Sequence, residues 1–576
     1  MRKIPYGEIN FESLIKSDAI YVDKTPYIEK LEEELALKKT FYLRPVRFGK
    51  SLFTSMLQYY YGIENKEKFE ELFGNLYIGK NPTENRNKYY VLKFDFSGMD
   101  IEKNADIDLM REIFDRKVIN GVEEFSNRYK IKVDCENTLT PSETIGKLFI
   151  EFSAQKPQEK IYVIIDEYDN FTNGILKGDA DRFLNVVSGE GFVKGFYARI
   201  KEAIGVGTVD RFFATGIAPI TLDSMTTGFN IATDITRDAR FVSMIVFTKK
   251  EIQSIIEEVF EEKTVEEKEE IYEEMKQYYD GYRFSEENEE RVFNSTLVMY
   301  YLKEYKKNGE RPKKMLDMNI AANFEKLANL ITLKNNPYSK EVLESLMQNK
   351  EIFSSITDKF NLAMDLNKKD ILSMLFYFGY CTIKENRMGL DVTFKIPNYV
   401  MASVYNDYFL WLLKKDGIKI NETKVEEAIT ELALDGKINK LCEIVEEYLS
   451  YIGNIAWQKY DEKYVKSYMH AILQLSPVFS TYLEYNVKNN KYIDIAVFKV
   501  ATMGAKYQAI IEVKYIKKEE AKTKKQKQQK IEEKREEALE QIQEYAQDER
   551  LPQDKMKKYI CIYVGQKLEL LEEIKI

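Results

Sequence analysis

The segment Arg44-Pro-Val-Arg-Phe-Gly49-Lys50-Ser51 joins a glycine, a lysine and a serine directly after a short apolar run, Thr40 to Leu43. Residues with helical spacing, Leu52, Met56, Leu57 and Tyr60, follow at once. Strand, loop and helix in that order let backbone N–H groups at a helix N-terminus surround phosphate oxygens. In such a loop Lys50 neutralises terminal phosphates and the Ser51 hydroxyl ligates Mg2+. Arg44 stands where the usual loop has its first glycine, so the entry differs, with Arg44 or Arg47 adding charge near the phosphates. A second apolar run, Ile161 to Ile165, ends in Asp166-Glu167. Asp166 suits an ion held through its hydration shell, and Glu167 suits orienting or activating an attacking water. Alone, such a strand end would be read as solvated acid. Asp169 either extends this cluster or serves as a cap or turn. Thr215, at the end of the run from Phe212, either senses a γ-phosphate or simply leads into Gly216. Arg237 and Arg240 are candidate arginine fingers, although most such arginines are surface ion pairs.

A second constellation lies near the C-terminus. Glu512 and Lys514 are two apart at the end of an apolar run and so face one side of a strand. Asp494 lies early in the preceding run, Tyr492 to Lys499, and joins them if the two strands pair. Two carboxylates can bind Mg2+, or Mn2+, which polarises a phosphodiester and lowers the pKa of a bound water. Lys514 would position that water or steady the developing charge. Gln541 and Tyr545 fall at i and i+4 on the following helix, where ordinary packing against the sheet is the competing reading. The acid that often completes such a site is Glu462 or Glu484. His470 either touches phosphate or water or is a buried, satisfied histidine. The turn before Asp494, Asn489-Asn490-Lys491, has no glycine.

These residues need a scaffold. In the first half short apolar runs (40–43, 91–94, 162–165, 212–215 and 241–247) alternate with helical stretches. That pattern indicates an α/β domain, about 1–248, with a parallel sheet covered on both faces. Residues 249–455 read as mostly helical. Within them a helix from Asp370 to Phe378, followed by a hairpin, resembles a winged helix, with a packing module favoured over a DNA reader. Residues 456–576 read as α-β-β-β-α-β. The basic run Lys522 to Lys530 is by default a solvated helix face. No internal repeat is visible.

Composition removes other classes. The chain has 576 residues, 44% of them apolar and 31% charged, which supports several domains and no global disorder. No apolar run approaches membrane-helix length, and no signal peptide is visible. Cys135, Cys381, Cys442 and Cys561 are isolated, and His470 is the one histidine, so zinc sites and disulfide frameworks are disfavoured and a reducing cytoplasm is expected. A net charge of -9 gives no global grip on nucleic acid, while the last hundred residues carry a small basic excess.

Taken together, Val22-Asp23-Lys24-Thr25, the loop from Arg44 to Leu52, Ile165-Asp-Glu-Tyr-Asp169, Thr215-Gly216, Phe247-Thr248 before Glu251, and Tyr279-Asp-Gly-Tyr-Arg-Phe284 resemble the bacterial AAA-ATPase-like family. Its members commonly end in a domain of the PD-(D/E)XK nuclease superfamily. The family's loop usually reads RPRRFGKS, so Arg44 is its own form and Val46 the local change. The resemblance implies an additional-strand P-loop NTPase fold binding ATP and Mg2+. Its nucleotide set is Arg44, Phe48, Gly49, Lys50, Ser51, Leu52 and Thr215, with Asp166 on the metal and Glu167 catalytic. It also implies a restriction-endonuclease-like C-terminal domain. The function expected is an ATP-dependent or ATP-regulated nuclease acting on DNA or RNA, with oligomerisation compatible and no membrane partner. The rival is a nucleotide-gated switch or scaffold whose nuclease-like domain binds without cutting.

Overall fold

The computed structural model describes residues 2–575 except 99–106, 134–139, 171–191, 220–230, 313–314, 317–336, 348–351, 361–365, 388–390, 416–419, 453–461, 477, 488–490, 500–503, 546–547 and 549–550. Cys135 and the Asn489-Asn490 turn therefore lie outside the described residues. The chain divides into two compact units, Met1–Met401 and Ala402–Ile576.

The first unit is built on five parallel strands: β1 (Lys39–Leu43), β2 (Tyr90–Asp95), β3 (Ile161–Asp166), β4 (Val209–Gly216) and β5 (Thr233–Asp234). Their spatial order is β2-β3-β4-β1-β5, so β4 is inserted between the strand that precedes the lysine loop and the strand that ends in Asp166. Parallel strands have their C-terminal ends on one edge, where ligands of open α/β sheets bind. Helix α1 (Lys50–Tyr61) covers one face through Phe53 on Phe213 and Tyr61 on Tyr162. Helices α2 (Ile107–Tyr129), α3 (Pro141–Gln155) and α4 (Phe192–Gly205) cover the other. There Tyr129 and Phe152 meet Tyr90, and Phe196 meets Phe94. Both faces being buried explains why the strands read as continuous apolar runs.

The apolar run 241–247 is not a strand of this sheet. The fifth strand is the polar pair Thr233–Asp234, while Ala239–Phe241 forms a short 3-10 turn. Three of the run's carbonyls accept from side chains instead: Phe241 O from Tyr42, Val242 O from Arg44 and Ser243 O from Lys24.

Helices α5 (Lys249–Val259) and α6 (Val265–Tyr279) each begin with a capping box, Thr248 with Glu251 and Thr264 with Glu267. Glu251 also receives Lys24 at 2.6 Å, so two of the sequence motifs meet in one ion pair. Helix α7 (Lys368–Tyr377) leads into an antiparallel sheet, β6 (Ile352–Ser354), β7 (Thr382–Arg387) and β8 (Asp391–Lys395), in the order β6-β8-β7.

In the second unit five strands run in the order β13-β12-β11-β10-β9. They are β9 (Phe479–Val487), β10 (Lys491–Lys499), β11 (Gln508–Ile516), β12 (Met556–Val564) and β13 (Lys567–Glu573). Only β11 and β12 are parallel, joined by the long helix α10 (Lys524–Tyr545); α8 (Asn439–Ile452) and α9 (Glu462–Leu473) precede the sheet. Ile531, Ala538 and Ile542 of α10 pack on Ile516, Ile560 and Ile562, the strand face that also carries Glu512 and Lys514. β13 extends the α-β-β-β-α-β pattern by one strand. No described helix is long and apolar enough to cross a membrane.

Candidate active sites

The lysine loop leaves β1 at Arg44, whose N–H still bonds Gly216 O at 3.1 Å. Gly49, at φ 98°, caps α1; a Cβ there would meet Ile245 O at 3.0 Å, so both conformation and space require glycine. Lys50 is buried, and its ammonium donates to Arg44 O and Pro45 O, each at 3.1 Å, and lies 3.2 Å from Glu167 Oε1. The loop lysine and the strand-end acid, more than a hundred residues apart in sequence, are thus in contact. Glu167 has a left-handed backbone, φ 55°, a conformation costly for a non-glycine residue and often found at working sites. Asp166 is bonded by Ser51 and by Thr54 Oγ1 at 3.3 Å, while its Oδ1 has no hydrogen-bond partner among the described residues. Burial raises the Asp166 pKa, and the nearby Lys93 opposes the rise. Thr54 and Lys93 escaped sequence reasoning; a lysine inside the buried run Val91-Leu-Lys-Phe94 was the available signal for the second.

A cavity of about 400 Å³ opens from Gly49, Lys50, Ser51, Leu52 and Glu167. Its other wall is largely apolar, with Ile9, Tyr21, Met56, Ile245, Phe247 and Met299. Polar at the loop and apolar beyond it, this shape suits a ligand with charged and flat apolar ends.

Other expected loop residues point elsewhere. Arg44 does not face the loop. Its guanidinium is fully buried, donates to Leu43 O (2.8 Å), Thr236 O (2.7 Å) and Val242 O (3.3 Å), and lies over the rings of Tyr42 and Phe284. It anchors the loop entry where a glycine would leave those carbonyls bare. Phe48 is likewise turned into the protein, edge-on to Tyr282 (5.0 Å) and Phe284 (5.8 Å). Gly379, at φ 82°, sits so close that a Cβ would be 2.8 Å from Pro45 Cγ. The Tyr279–Phe284 motif is therefore the socket into which the loop's Arg44 and Phe48 plug. Thr215 donates its hydroxyl to Tyr42 O at 2.8 Å and does not present it to the loop. Asp169 accepts from the Ile217 and Ala218 N–H groups, which makes it a turn residue; burial pushes its pKa up to about 6. Arg237 is paired with Glu286 and Asp358, and Arg240 with Asp238 and Glu34, so both are committed to ion pairs.

In the second unit Ile495 faces Ile511, which sets Asp494 beside Glu512 one step back on the same face. Asp494 N–H donates to Glu512 Oε1 at 3.3 Å, and Val513 N–H donates to Asp494 Oδ2 at 2.9 Å. Lys514 lies 3.6 Å from Glu512 Oε2, donates to Gln541 at 2.7 Å and approaches Glu537 at 3.5 Å. Burial, then the Asp494 charge, push the Glu512 pKa well up. Burial opposes protonation of Lys514, but Asp494 and Glu512 outweigh it and raise its pKa. The Gln541 and Tyr545 pair divides its work: Gln541 orients Lys514, whereas Tyr545 donates to Tyr492 O at 2.8 Å and fixes α10 to β10. His470 is buried and bonded to the Thr481 backbone, and desolvation pulls its pKa down to about 4, so it is neutral at pH 7.

Glu462 and Glu484 reach the site through Lys466, a residue sequence reasoning missed. Its ammonium contacts Asp494, Glu462 at 3.0 Å and Glu484 at 3.8 Å. It carried no distinguishing spacing; only its burial sets it apart. Glu484 lies opposite Asp494 between the Tyr485–Ile493 and Leu483–Ile495 pairs and has a left-handed backbone, φ 54°. Among the described residues no three Asp, Glu, His or Cys side chains converge at ligand spacing.

The two units are a P-loop-type parallel α/β fold and a C-terminal α/β fold of the restriction-endonuclease-like type. Residues 5–226 match the family described as predicted AAA-ATPase, and residues 460–572 match the PD-(D/E)XK nuclease superfamily. Among solved structures it is similar to a Walker-type ATPase of Pyrococcus abyssi, at 15% identity and a TM-score of 0.39, covering 66% of this chain and 94% of that one. It is also similar to the ORC2 protein of Aeropyrum pernix, in ADPNP–ADP complexes, at 11% identity and a TM-score of 0.30, covering 70% and 94%. No curated protein matches the chain.

Proposed function

We propose that this protein binds ATP with Mg2+ at the Lys50 loop and hydrolyses it, and that its C-terminal domain is a metal-dependent nuclease whose cutting of DNA or RNA depends on, or is regulated by, ATP. One observation carries both halves. At each site a lysine stands among acids of which one is buried and keeps an oxygen without a hydrogen-bond partner among the described residues: Lys50 contacts Glu167, whose neighbour Asp166 has the bare Oδ1, and Lys514 lies beside Glu512 with its bare Oε2. An orphaned, desolvated carboxylate oxygen is costly unless a cation takes it, so the donor sets fit a hard divalent ion.

Asp166 and Ser51 would hold the ion of the first site, and Asp494 and Glu512 that of the second. When bound, such ions neutralise phosphate charge and make a bound water more acidic. Lys50 exchanges the carbonyls of Arg44 and Pro45 for phosphate oxygens. Glu167, released from Lys50, orients the attacking water or accepts its proton. The apolar wall of the cavity takes the base. In the second site Lys514, aimed by Gln541, steadies the charge developing on the phosphodiester. Free, buried thiols at Cys381, Cys442 and Cys561 support a reducing, cytoplasmic setting.

The test is cleavage of single- and double-stranded DNA and RNA with Mg2+ or Mn2+, with and without ATP. Lys50→Ala should remove ATP hydrolysis and the ATP effect, and Lys514→Ala should remove cutting. A protein that cuts none of these substrates under any of these conditions refutes the nuclease half.

A further inference from the structure

Lys466 projects from α9 against acids from three elements: Glu462 one turn back on its own helix, Glu484 on β9 and Asp494 on β10. Its side chain is 8% exposed, so this is not a solvent-screened surface pair. The acids more than offset the burial that would otherwise strip its proton. Beside them Glu512 and Lys514 complete the polar face. Carboxyl groups outnumber ammonium groups in this cluster, so its chemistry suits a cation.

Both oxygens of Asp494 are engaged, Oδ1 by Lys466 and Oδ2 by the Val513 N–H. The Val513 N–H is a backbone donor held in place by β11, which pairs with β10. The ammonium, on a flexible four-carbon stem, is the partner that can leave. We propose that Lys466 is a built-in counter-cation that holds the nuclease carboxylates together in the metal-free chain and is displaced from Asp494 when a divalent ion binds, so that it sets the metal affinity of this domain. The proposal rests on the nuclease reading above for the place of the ion. A lysine serving only as a strut would, on removal, loosen the cluster and weaken metal binding; a competing cation would, on removal, strengthen it.

The experiment is calorimetric titration of Mn2+ into the nucleotide-free full chain, comparing the unaltered protein with Lys466→Met, Lys466→Gln and Asp494→Asn. Thermal unfolding is recorded in chelator and in Mn2+. Lys466→Met and Lys466→Gln are expected to bind Mn2+ about tenfold more tightly or better, because a like charge within contact range is gone. They should melt lower in chelator, and Mn2+ should raise their Tm more than it raises that of the unaltered chain. Unchanged or weaker Mn2+ affinity in both variants overturns the proposal. If both fold only with Mn2+ present, the counter-cation role is supported; if neither folds even then, it is overturned. Asp494→Asn reads the underlying assignment separately: Mn2+ binding that survives it intact refutes the nuclease metal site, not the exchange alone.

Discussion

Replacing Arg44 by methionine separates two roles that its position beside the loop would allow. A phosphate-binding arginine would cost affinity and little stability. The structure gives the opposite expectation. Methionine fills the space between Tyr42 and Phe284 but removes the donors to Leu43 O, Thr236 O and Val242 O. Each buried carbonyl left bare costs roughly 1–3 kcal/mol, and the lost cation–π contact about another 1 kcal/mol, partly offset because a charge is no longer desolvated. The net should be about 3–5 kcal/mol, a large fraction of a typical folding free energy. Urea unfolding of the full chain, followed by tyrosine fluorescence, should show the first unit's transition moving to lower denaturant. Nucleotide affinity, measured cold where the variant is still folded, should change far less than it does on loss of Lys50. An unchanged transition together with lost nucleotide binding would refute the anchoring role.

Other expectations follow from the same geometry. Gly379→Ala forces a left-handed alanine against Pro45, so it should destabilise the first unit by about 1–3 kcal/mol and weaken ATP binding, measured by thermal melting and nucleotide titration. Gln541→Ala frees Lys514 from its acceptor at 2.7 Å and should lower the cleavage rate about tenfold at saturating metal while leaving nucleic-acid binding nearly unchanged. For His470, the folded pKa near 4 lies below the unfolded value near 6.5, so the unfolded state binds the proton first and stability falls as pH drops from 6.5 to 4. That loss, at most about 3 kcal/mol, should be absent in His470→Gln, and the difference between the two urea-unfolding pH profiles isolates it from the opposing effect of Glu512.

What could be read from sequence was what is local. The loop, the run ending in Asp166-Glu167 and the Glu512-x-Lys514 pair each lie within a few residues, and the alternation of buried runs with helices names the sheet. What could not be read depends on distant partners. Two of the three acceptors of Arg44 lie 192 and 198 residues away, so a buried anchor and a phosphate ligand have the same local appearance. The run 241–247 looks like a strand because its side chains are buried, yet three of its carbonyls serve Tyr42, Arg44 and Lys24, and Phe247 bridges Phe293 outside the five-stranded sheet. Lys466 lies in a Lys- and Tyr-rich helix where charge spacing cannot tell a solvated lysine from a buried one. β5 is two polar residues long, below what periodicity detects.

The central claim is that Lys50 and the acids at the end of β3 form one nucleotide site. Calorimetric titration of a non-hydrolysable ATP analogue with Mg2+ into the unaltered chain and into Lys50→Met tests it most directly. Saturable one-to-one binding that weakens by roughly 30-fold or more in the variant, with its melting temperature retained, is the predicted result. Equal affinity in the two proteins, or no binding by the unaltered chain, would contradict it.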